Sequence, residues 1–113
     1  MTEELLTLTS LPLFPLGTVL FPGGVLPLRV FEVRYLDMVS RCHRGGAPFG
    51  VVALARGHEV HAAGAPAEQL EPIGTLAHIR SLHQPQPGLM HIECTGEQRF
   101  RIDRTELLPH GLW

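Results

Sequence analysis

Apolar runs interrupted by proline fill the first third of the chain. They predict two strands, Leu11–Leu16 and Val25–Val30, joined by a glycine-rich connection from Gly17 to Gly24. Proline has no N–H to donate to a sheet ladder, so it belongs on edge strands, at strand starts or in bulges. The prolines here therefore indicate short, bent strands at the edge of a sheet: Pro12, Pro15, Pro22 and Pro27.

An amphipathic segment follows the second strand. The pattern predicts a helix from Phe31 or Glu32 to His43, ended by Gly45-Gly46. Its apolar side chains recur at helical spacing and form one stripe: Phe31, Tyr35, Met38, Val39 and Cys42. Charged side chains are expected on the other faces: Arg34, Asp37, Arg41 and Arg44.

The second half of the chain has the patterns of strands. Phe49–Ala55 is nearly all apolar and predicts a strand buried on both faces, and Arg56–Glu71 has the composition of a loop. From Ile73 the period becomes two, and Pro85–Gly88 predicts a hairpin turn. Gly96 is expected to turn the chain into a third strand, with Phe100 and Ile102 pointing inward.

A register for this hairpin follows from placing Gln84 opposite Leu89. Apolar residues then face one another on one side and polar residues on the other, as a correct register requires. The expected pairs are Ile79–Cys94 and Ser81–Ile92 on the apolar face, and Arg80–Glu93 and Leu82–His91 on the polar face. Ala77 and Met90 also belong to the apolar face. Ile79, Ile92, Phe100 and Met38 are the predicted core.

Five to seven strands with one early helix predict a mainly β, α+β fold. Without βαβ alternation, a small mixed barrel with mostly antiparallel strands is expected. Residues 1–10 form a polar leader that we expect to be flexible, and residues 11–113 form one domain. A turn signal at Pro109–Gly111 precedes the last two residues, which predicts that the domain is truncated at this end.

Composition limits the chemistry that these residues can perform. The 113 residues contain nine arginines and no lysine. A Walker-type ATPase and a serine–lysine peptidase each need a lysine, so this chain contains neither, and we expect it not to be an enzyme. Two scattered cysteines and an acidic start predict a cytoplasmic protein, and no apolar run approaches the ~20 residues needed to span a membrane.

Histidine spacing offers one candidate metal site. His58 and His61 are three residues apart, with Glu59 between them, but zinc needs at least three converging protein ligands. Cys42 and His43 are helical neighbours that point about 100° apart, so they cannot act as a nucleophile–base pair. We therefore expect neither a metal ion nor a cofactor, and we expect Cys42 to be a small buried residue.

Several motifs together resemble a known family. Leu11–Leu16 (LPLFPL), Val19–Gly23 (VLFPG), Leu26–Leu28 (LPL) and Phe31–Tyr35 (FEVRY) are similar to the N-terminal substrate-binding domain of Lon-type proteases, which also occurs as a stand-alone bacterial protein. The likeness continues more weakly to Gly96–Arg101. The resemblance implies a PUA-like pseudo-barrel and a non-catalytic domain that binds unfolded or exposed polypeptide, with a protease or ATPase as a further partner.

Two groups of residues are the candidate polypeptide-binding site. Val19, Leu20, Phe21 and Pro22 are expected to form an exposed apolar loop, with Phe21 as its most exposed residue. Glu32, Arg34 and Tyr35 are expected either to frame the other end of a groove or to support the start of the helix: Glu32 through the helix dipole, Arg34 in a local ion pair and Tyr35 by packing.

Two other functions remain open. PUA-like folds also bind RNA, and a cationic strip of Arg99, Arg101 and Arg104, extended by Arg80, is the candidate surface. Acidic residues interleave with this strip, and the sequence has no aromatic ladder for stacking bases, so nucleic acid is the less favoured partner. An adaptor with one dedicated protein partner is the other alternative.

Overall fold

The computed structural model of the chain describes residues 11–56, 69–103 and 105. One helix and five strands lie within these residues, and their order is β1 (Leu13–Leu16), β2 (Val25–Val30), α1 (Val33–Gly45), β3 (Phe49–Arg56), β4 (Gln69–Gln86) and β5 (Leu89–Arg101). The predicted mainly β fold with one helix is confirmed. The predicted leader at residues 1–10, the turn at Pro109–Gly111 and the pair His58 and His61 lie outside the described residues.

The five strands form a single mixed sheet in the order β1-β3-β4-β5-β2. β1 runs parallel to β3, and every other neighbouring pair is antiparallel. The sheet curls into a half-barrel, as the mixed, mostly antiparallel pattern predicted. β1 and β2 are the two edges, so the prolines within them, Pro15 and Pro27, lie where a missing N–H does least harm to the ladder.

α1 begins at Val33, two residues later than the earliest predicted start, and ends at Gly45, two residues beyond the predicted last residue His43 and within the glycine pair predicted to stop it. Gly46 has φ 64°, and the chain closes the helix with hydrogen bonds from Gly46 N to His43 O (3.3 Å) and from Ala47 N to Cys42 O (3.0 Å). Glycine adopts this left-handed conformation at little cost, which explains why the helix stops here.

One face of α1 packs against the sheet. Its buried residues include four of the five predicted for the stripe: Tyr35, Met38, Val39 and Cys42. Phe31 is the exception, because it precedes the helix and is half-exposed. Arg34 was expected on a polar face, but it is buried beside Tyr35.

The register of β4 and β5 agrees with the prediction at one end only. Ile79 lies opposite Cys94 as expected, but an extra residue on β4 between Ile79 and Ser81 shifts the pairing by one. Ser81 therefore faces Glu93, while Leu82 faces Ile92, so the expected pairs Ser81–Ile92 and Leu82–His91 are wrong. A second shift between His83 and Gln86 places Gln86 opposite Leu89, so the expected pair of Gln84 with Leu89 is wrong as well. The ion pair between Arg80 and Glu93 still forms.

Two predicted breaks in the sheet are also wrong. β5 continues through Gly96 without a turn, and β4 begins at Gln69, inside the segment predicted as a loop. β3 extends one residue beyond the predicted strand, to Arg56. The remainder of that predicted loop, residues 57–68, lies outside the described residues.

The core lies between α1 and the inner face of the half-barrel. Ile79, Ile92 and Met38 are buried in it as predicted. Phe100 is only half-buried, which corrects the prediction that it is inaccessible; its ring lies over Gly74 and Gly50, where an added Cβ would come within 2.6 Å of the ring. Phe49 and Val51, on either side of Gly50, belong to the core, so the two glycines make room for this ring on the opposite face of the sheet, and the prediction that Phe100 points inward is wrong.

Candidate functional site

The connection between β1 and β2 ends in a tight turn. We call residues 19–24 the tip; they contain a hydrogen bond from Gly24 N to Phe21 O (2.8 Å). Pro22 and Gly23 occupy the two central positions of this turn, and Gly23 has φ 80°. Proline first and a positive-φ glycine second are the signature of a type II turn, so the sequence Phe-Pro-Gly-Gly specifies this shape locally.

Backbone hydrogen bonds attach the tip to β5. Gly23 N donates to Gly96 O, and Gly96 N donates to Gly24 O, both at 2.9 Å. A Cβ on Gly96 would lie 2.2 Å from the carbonyl oxygen of Phe21. Gly96 is therefore required for the close approach of two backbones. A glycine inside a strand pattern is the sequence signal that could have revealed this contact.

Leu20 anchors the tip from below. It is buried, and its carbonyl oxygen accepts a buried hydrogen bond of 2.7 Å from Thr75 Oγ1 on β4. This burial corrects the expectation that the whole of Val19–Pro22 is exposed. Thr75 was not predicted as part of the site, and nothing in the local sequence pattern indicates its contact with a loop so distant along the chain.

The other side chains of the tip face solvent. Phe21 is 60% exposed and Val19 is 57% exposed, and Pro22 is exposed as well. The exposure predicted for Phe21 is confirmed. The guanidinium carbon of Arg99, on β5, lies 5.9 Å from the centroid of the Phe21 ring, within range of a cation–π interaction. The tip thus presents apolar side chains with one arginine beside them.

The second predicted group lies at the start of α1 and is largely internal. Tyr35 is 1% exposed, and its ring stacks on Phe14 with centroids 4.0 Å apart. Arg34 lies over the same ring, 4.6 Å from its centroid, and its Nε is 3.3 Å from Glu32 Oε1. These contacts are those expected of residues that support the helix start.

The two predicted groups lie at opposite ends of β2. This strand has six residues, which span roughly 20 Å in extended conformation. The tip precedes the strand, and Glu32, Arg34 and Tyr35 follow it. Any single binding surface that used both groups would have to run the length of β2.

Nucleophilic chemistry finds little support in the described residues. Cys42 and Cys94 are both free and buried. Burial, and then the neighbouring Glu93 carboxylate, raises the pKa of Cys94 to about 12, and burial raises the pKa of Cys42 despite the nearby Arg41. Both thiols therefore stay protonated at neutral pH, in the form that is a poor nucleophile.

Two further features are absent from the part of the chain that the structure describes. Within it, no group of three or more His, Cys, Asp or Glu side chains is placed to hold a metal ion. Nor does this part of the chain include a helix with the length and apolar character needed to cross a membrane.

Comparisons with known proteins place the chain in a family. The profile of the ATP-dependent protease La (LON) substrate-binding domain matches residues 10–109. The Lon protease of Flavobacterium johnsoniae is 30% identical over 95 residues, covering 83% of this chain and 11% of the protease. The Lon protease of Paraburkholderia phytofirmans is 34% identical over 87 residues, covering 76% of this chain and 10% of the protease.

A solved structure supports the same assignment. The crystal structure of a Lon N-terminal domain protein from Xanthomonas campestris is 39% identical, has a TM-score of 0.72, and matches 93% of this chain and 56% of its own. The chain thus spans about a tenth of the length of the curated relatives and just over half of the solved structure. It belongs to the substrate-binding domain family of the ATP-dependent protease La (LON).

Proposed function

We propose that this chain is a non-catalytic domain that recognises unfolded or exposed polypeptide segments and contacts them through the tip. The family assignment supports a substrate-binding role. The absence of lysine supports the lack of ATPase and serine–lysine peptidase chemistry in this chain. In this proposal the domain delivers segments to a protease or ATPase in the cytoplasm.

The observation that carries the proposal is the exposure of Phe21 on an anchored turn. Val19, Phe21 and Pro22 expose neighbouring apolar side chains, and a contiguous exposed apolar patch usually marks an interaction site. Three backbone hydrogen bonds and the buried Leu20 hold the turn before any partner arrives. A pre-organised loop loses little conformational freedom on binding, so more of the apolar contact energy contributes to affinity.

The outer edge of β2 supplies only a broken row of hydrogen-bonding groups. Gly96 N donates to Gly24 O, so the backbone N–H and C=O groups of every second residue after Gly24 point toward β5. The backbone groups of Val25, Pro27 and Arg29 point the other way, toward the open edge of the sheet. Pro27 has no N–H, so an added strand would miss the middle donor. We therefore propose that side-chain contacts at the tip dominate, with strand addition along β2 in a minor role.

The role of the second group in this proposal is structural. Tyr35 is inaccessible to a bound chain without opening of the core. Glu32 and Arg34 bond to one another within the fold. A direct contact of Glu32 or Arg34 with polypeptide stays a prediction, and variants at the two ends of β2 test it.

RNA binding is the weaker alternative on the described residues. Arg99 and Arg101 are exposed, but Arg80, which would extend the strip, is paired with Glu93. Phe21 is an exposed aromatic residue beside Arg99, but single-strand binding draws on several stacked aromatics in a cationic groove. An adaptor with one dedicated partner would use the same exposed tip and differs from the main proposal in its selectivity.

A titration against labelled, chemically denatured casein tests the proposal. Wild type should bind, and Phe21→Ala should weaken binding roughly fivefold to thirtyfold, the usual loss for one aromatic anchor. Raising the salt concentration should weaken either affinity only slightly, because most of the contact is apolar. Equal affinities for the two proteins would show that Phe21, and with it the tip, does not contact the bound polypeptide. A steep loss of affinity with salt would favour nucleic acid.

A further inference from the structure

We propose that the surface formed by Phe21, Ile73, Arg99 and Arg101 selects polypeptide segments in which a carboxylate lies next to a large apolar side chain. This inference rests on the proposed function and makes its substrate class more specific.

The four residues share one side of the sheet. Thr75 pairs with Arg99 and Ile73 pairs with Arg101, with no register shift between the two pairs. Alternate residues of a strand point to the same face, so Ile73 lies on the face of Thr75. Thr75 bonds to the carbonyl of Leu20, which identifies this face as the one that the tip covers.

Apolar surface continues along this face beyond the tip. Ile73 is 50% exposed at the end of the row that includes the buried Ala77 and Ile79. Phe21 lies beside Arg99 and Ile73 lies beside Arg101, so the two apolar side chains give a bound segment two apolar contacts next to the two arginines. A large apolar side chain bound between Phe21 and Ile73 would be shielded from water on two sides, and this burial of apolar surface favours binding.

The arginines of this face are available to a ligand. In the described part of the chain, Arg34, Arg41 and Arg80 each lie within ion-pair distance of a carboxylate, whereas Arg99 and Arg101 have no such partner. Arg99 Cζ lies 5.9 Å from the centroid of the Phe21 ring. A guanidinium that stacks on an aromatic ring keeps its N–H groups free for other partners. A guanidinium held in this way can bond a carboxylate through two parallel hydrogen bonds.

The charge pattern along β5 favours one carboxylate over a chain of phosphates. Arg99 and Arg101 are two residues apart, about 7 Å in an extended strand. The exposed Glu97 precedes them and the exposed Asp103 follows them. A polyanion laid along this strand would meet both acidic residues, whereas a single carboxylate fits between them.

Short labelled peptides test the inference by fluorescence anisotropy. One glycine–serine peptide carries a single Phe-Asp pair and its partner carries Phe-Asn, each with an amidated end. Wild type should bind the Phe-Asp peptide about threefold to tenfold more tightly, as expected for one surface charge-assisted contact. Arg99→Gln should abolish this preference while leaving the melting temperature unchanged. Arg44→Gln, a matched change at an exposed arginine of α1, should keep it.

A third peptide distinguishes two sources of the carboxylate. It carries Phe as its last residue and a free C-terminal acid. If it binds as tightly as the Phe-Asp peptide and loses affinity in Arg99→Gln, the surface takes a chain-terminal carboxylate as well as an aspartate. If it binds only as tightly as the Phe-Asn peptide, the surface takes side-chain carboxylates alone. Both results support carboxylate selection.

Other results would overturn the inference. Equal affinities for the Phe-Asp and Phe-Asn peptides, with denatured casein still bound in a Phe21-dependent way, would remove carboxylate selection and leave the proposed function intact. Binding of casein but of none of the peptides would have the same meaning. Binding of neither casein nor peptide would contradict both. An oligouridine that binds more tightly than any peptide, and weakens in Arg99→Gln, would replace polypeptide with RNA.

Discussion

Two exposed phenylalanines stand at the two ends of β2, and they lie in different surroundings. Phe21 is 60% exposed and belongs to the tip; Phe31 is 52% exposed and lies between β2 and α1. Beneath Phe21 the contacts with β5 are made by backbone atoms, at Gly23, Gly24 and Gly96. Near Phe31 the contacts are made by side chains, with Tyr35 stacked on Phe14.

Because of this difference, we expect substitutions at the tip to change binding and substitutions at the helix start to change stability. At the tip the fold is held by the main chain, so the side chains are free to contact a partner without disturbing the fold. At the helix start Arg34 and Tyr35 are themselves part of the packing. Similar exposure of two aromatic rings therefore does not imply similar roles, and substitutions at the two ends should differ in what they affect.

The largest expected effect is on stability at the helix end. Tyr35→Ala removes a ring that is 1% exposed and stacked at 4.0 Å, and it should lower the free energy of unfolding by about 3–5 kcal/mol. Phe21→Ala should lower it by less than about 0.5 kcal/mol, as is usual for a surface position. Urea denaturation of both variants measures the contrast. Similar losses would show that Phe21 belongs to the core.

The next effect concerns the backbone support of the tip. Gly96→Ala places a Cβ 2.2 Å from Phe21 O and 3.1 Å from Leu20 Cγ, so the tip must move. We expect a loss of about 1–3 kcal/mol in unfolding free energy, together with weaker binding of denatured casein.

Gly45→Ala is the matched control for that variant. Gly45 ends α1 and has no atom within 4 Å of an added Cβ, so this change should be neutral or slightly stabilising and should leave binding unchanged. A Gly96→Ala protein with wild-type stability and affinity would mean that the tip does not depend on its contact with β5.

The sequence predicted the tip better than it predicted the sheet beneath it. The Phe-Pro-Gly-Gly turn and the exposure of Phe21 follow from local rules about proline and glycine. The end of α1 at Gly46 follows from the same kind of rule, since it needs only a left-handed glycine. Features that depend on only four or five neighbouring residues could therefore be predicted from the sequence.

Features that depend on contacts between residues far apart in the sequence could not be predicted. Gly96 looked like a turn, but it accommodates the tip inside a continuous strand. The bulge between Ile79 and Ser81 shifts the β4–β5 register, and simple alternation cannot reveal an extra residue. Arg99 beside Phe21, and Thr75 beneath Leu20, likewise bring together residues that have no pattern in common.

A smaller effect is expected from Cys94 in the core, as a loss of stability at alkaline pH. Cys94 on β5 pairs with Leu26, the second residue of β2, and burial raises the pKa of Cys94 to about 12. The folded state therefore keeps a proton that the unfolded chain releases, so this stabilisation is complete below about pH 9 and is lost as the pH rises through the folded-state pKa. Urea denaturation across this range should show declining stability, with a weaker decline in Cys94→Ala. The same decline in both proteins would assign the alkaline loss to other groups.

One pair of matched variants decides whether the tip or the helix end binds polypeptide. Phe21→Ala and Phe31→Ala remove the same exposed side chain from opposite ends of β2, and each affinity for denatured casein is compared with that of wild type. If the tip binds polypeptide, Phe21→Ala should lose about 1–2 kcal/mol of binding free energy and Phe31→Ala almost none, with both proteins fully folded. Equal losses, or a larger loss for Phe31→Ala, would contradict binding at the tip.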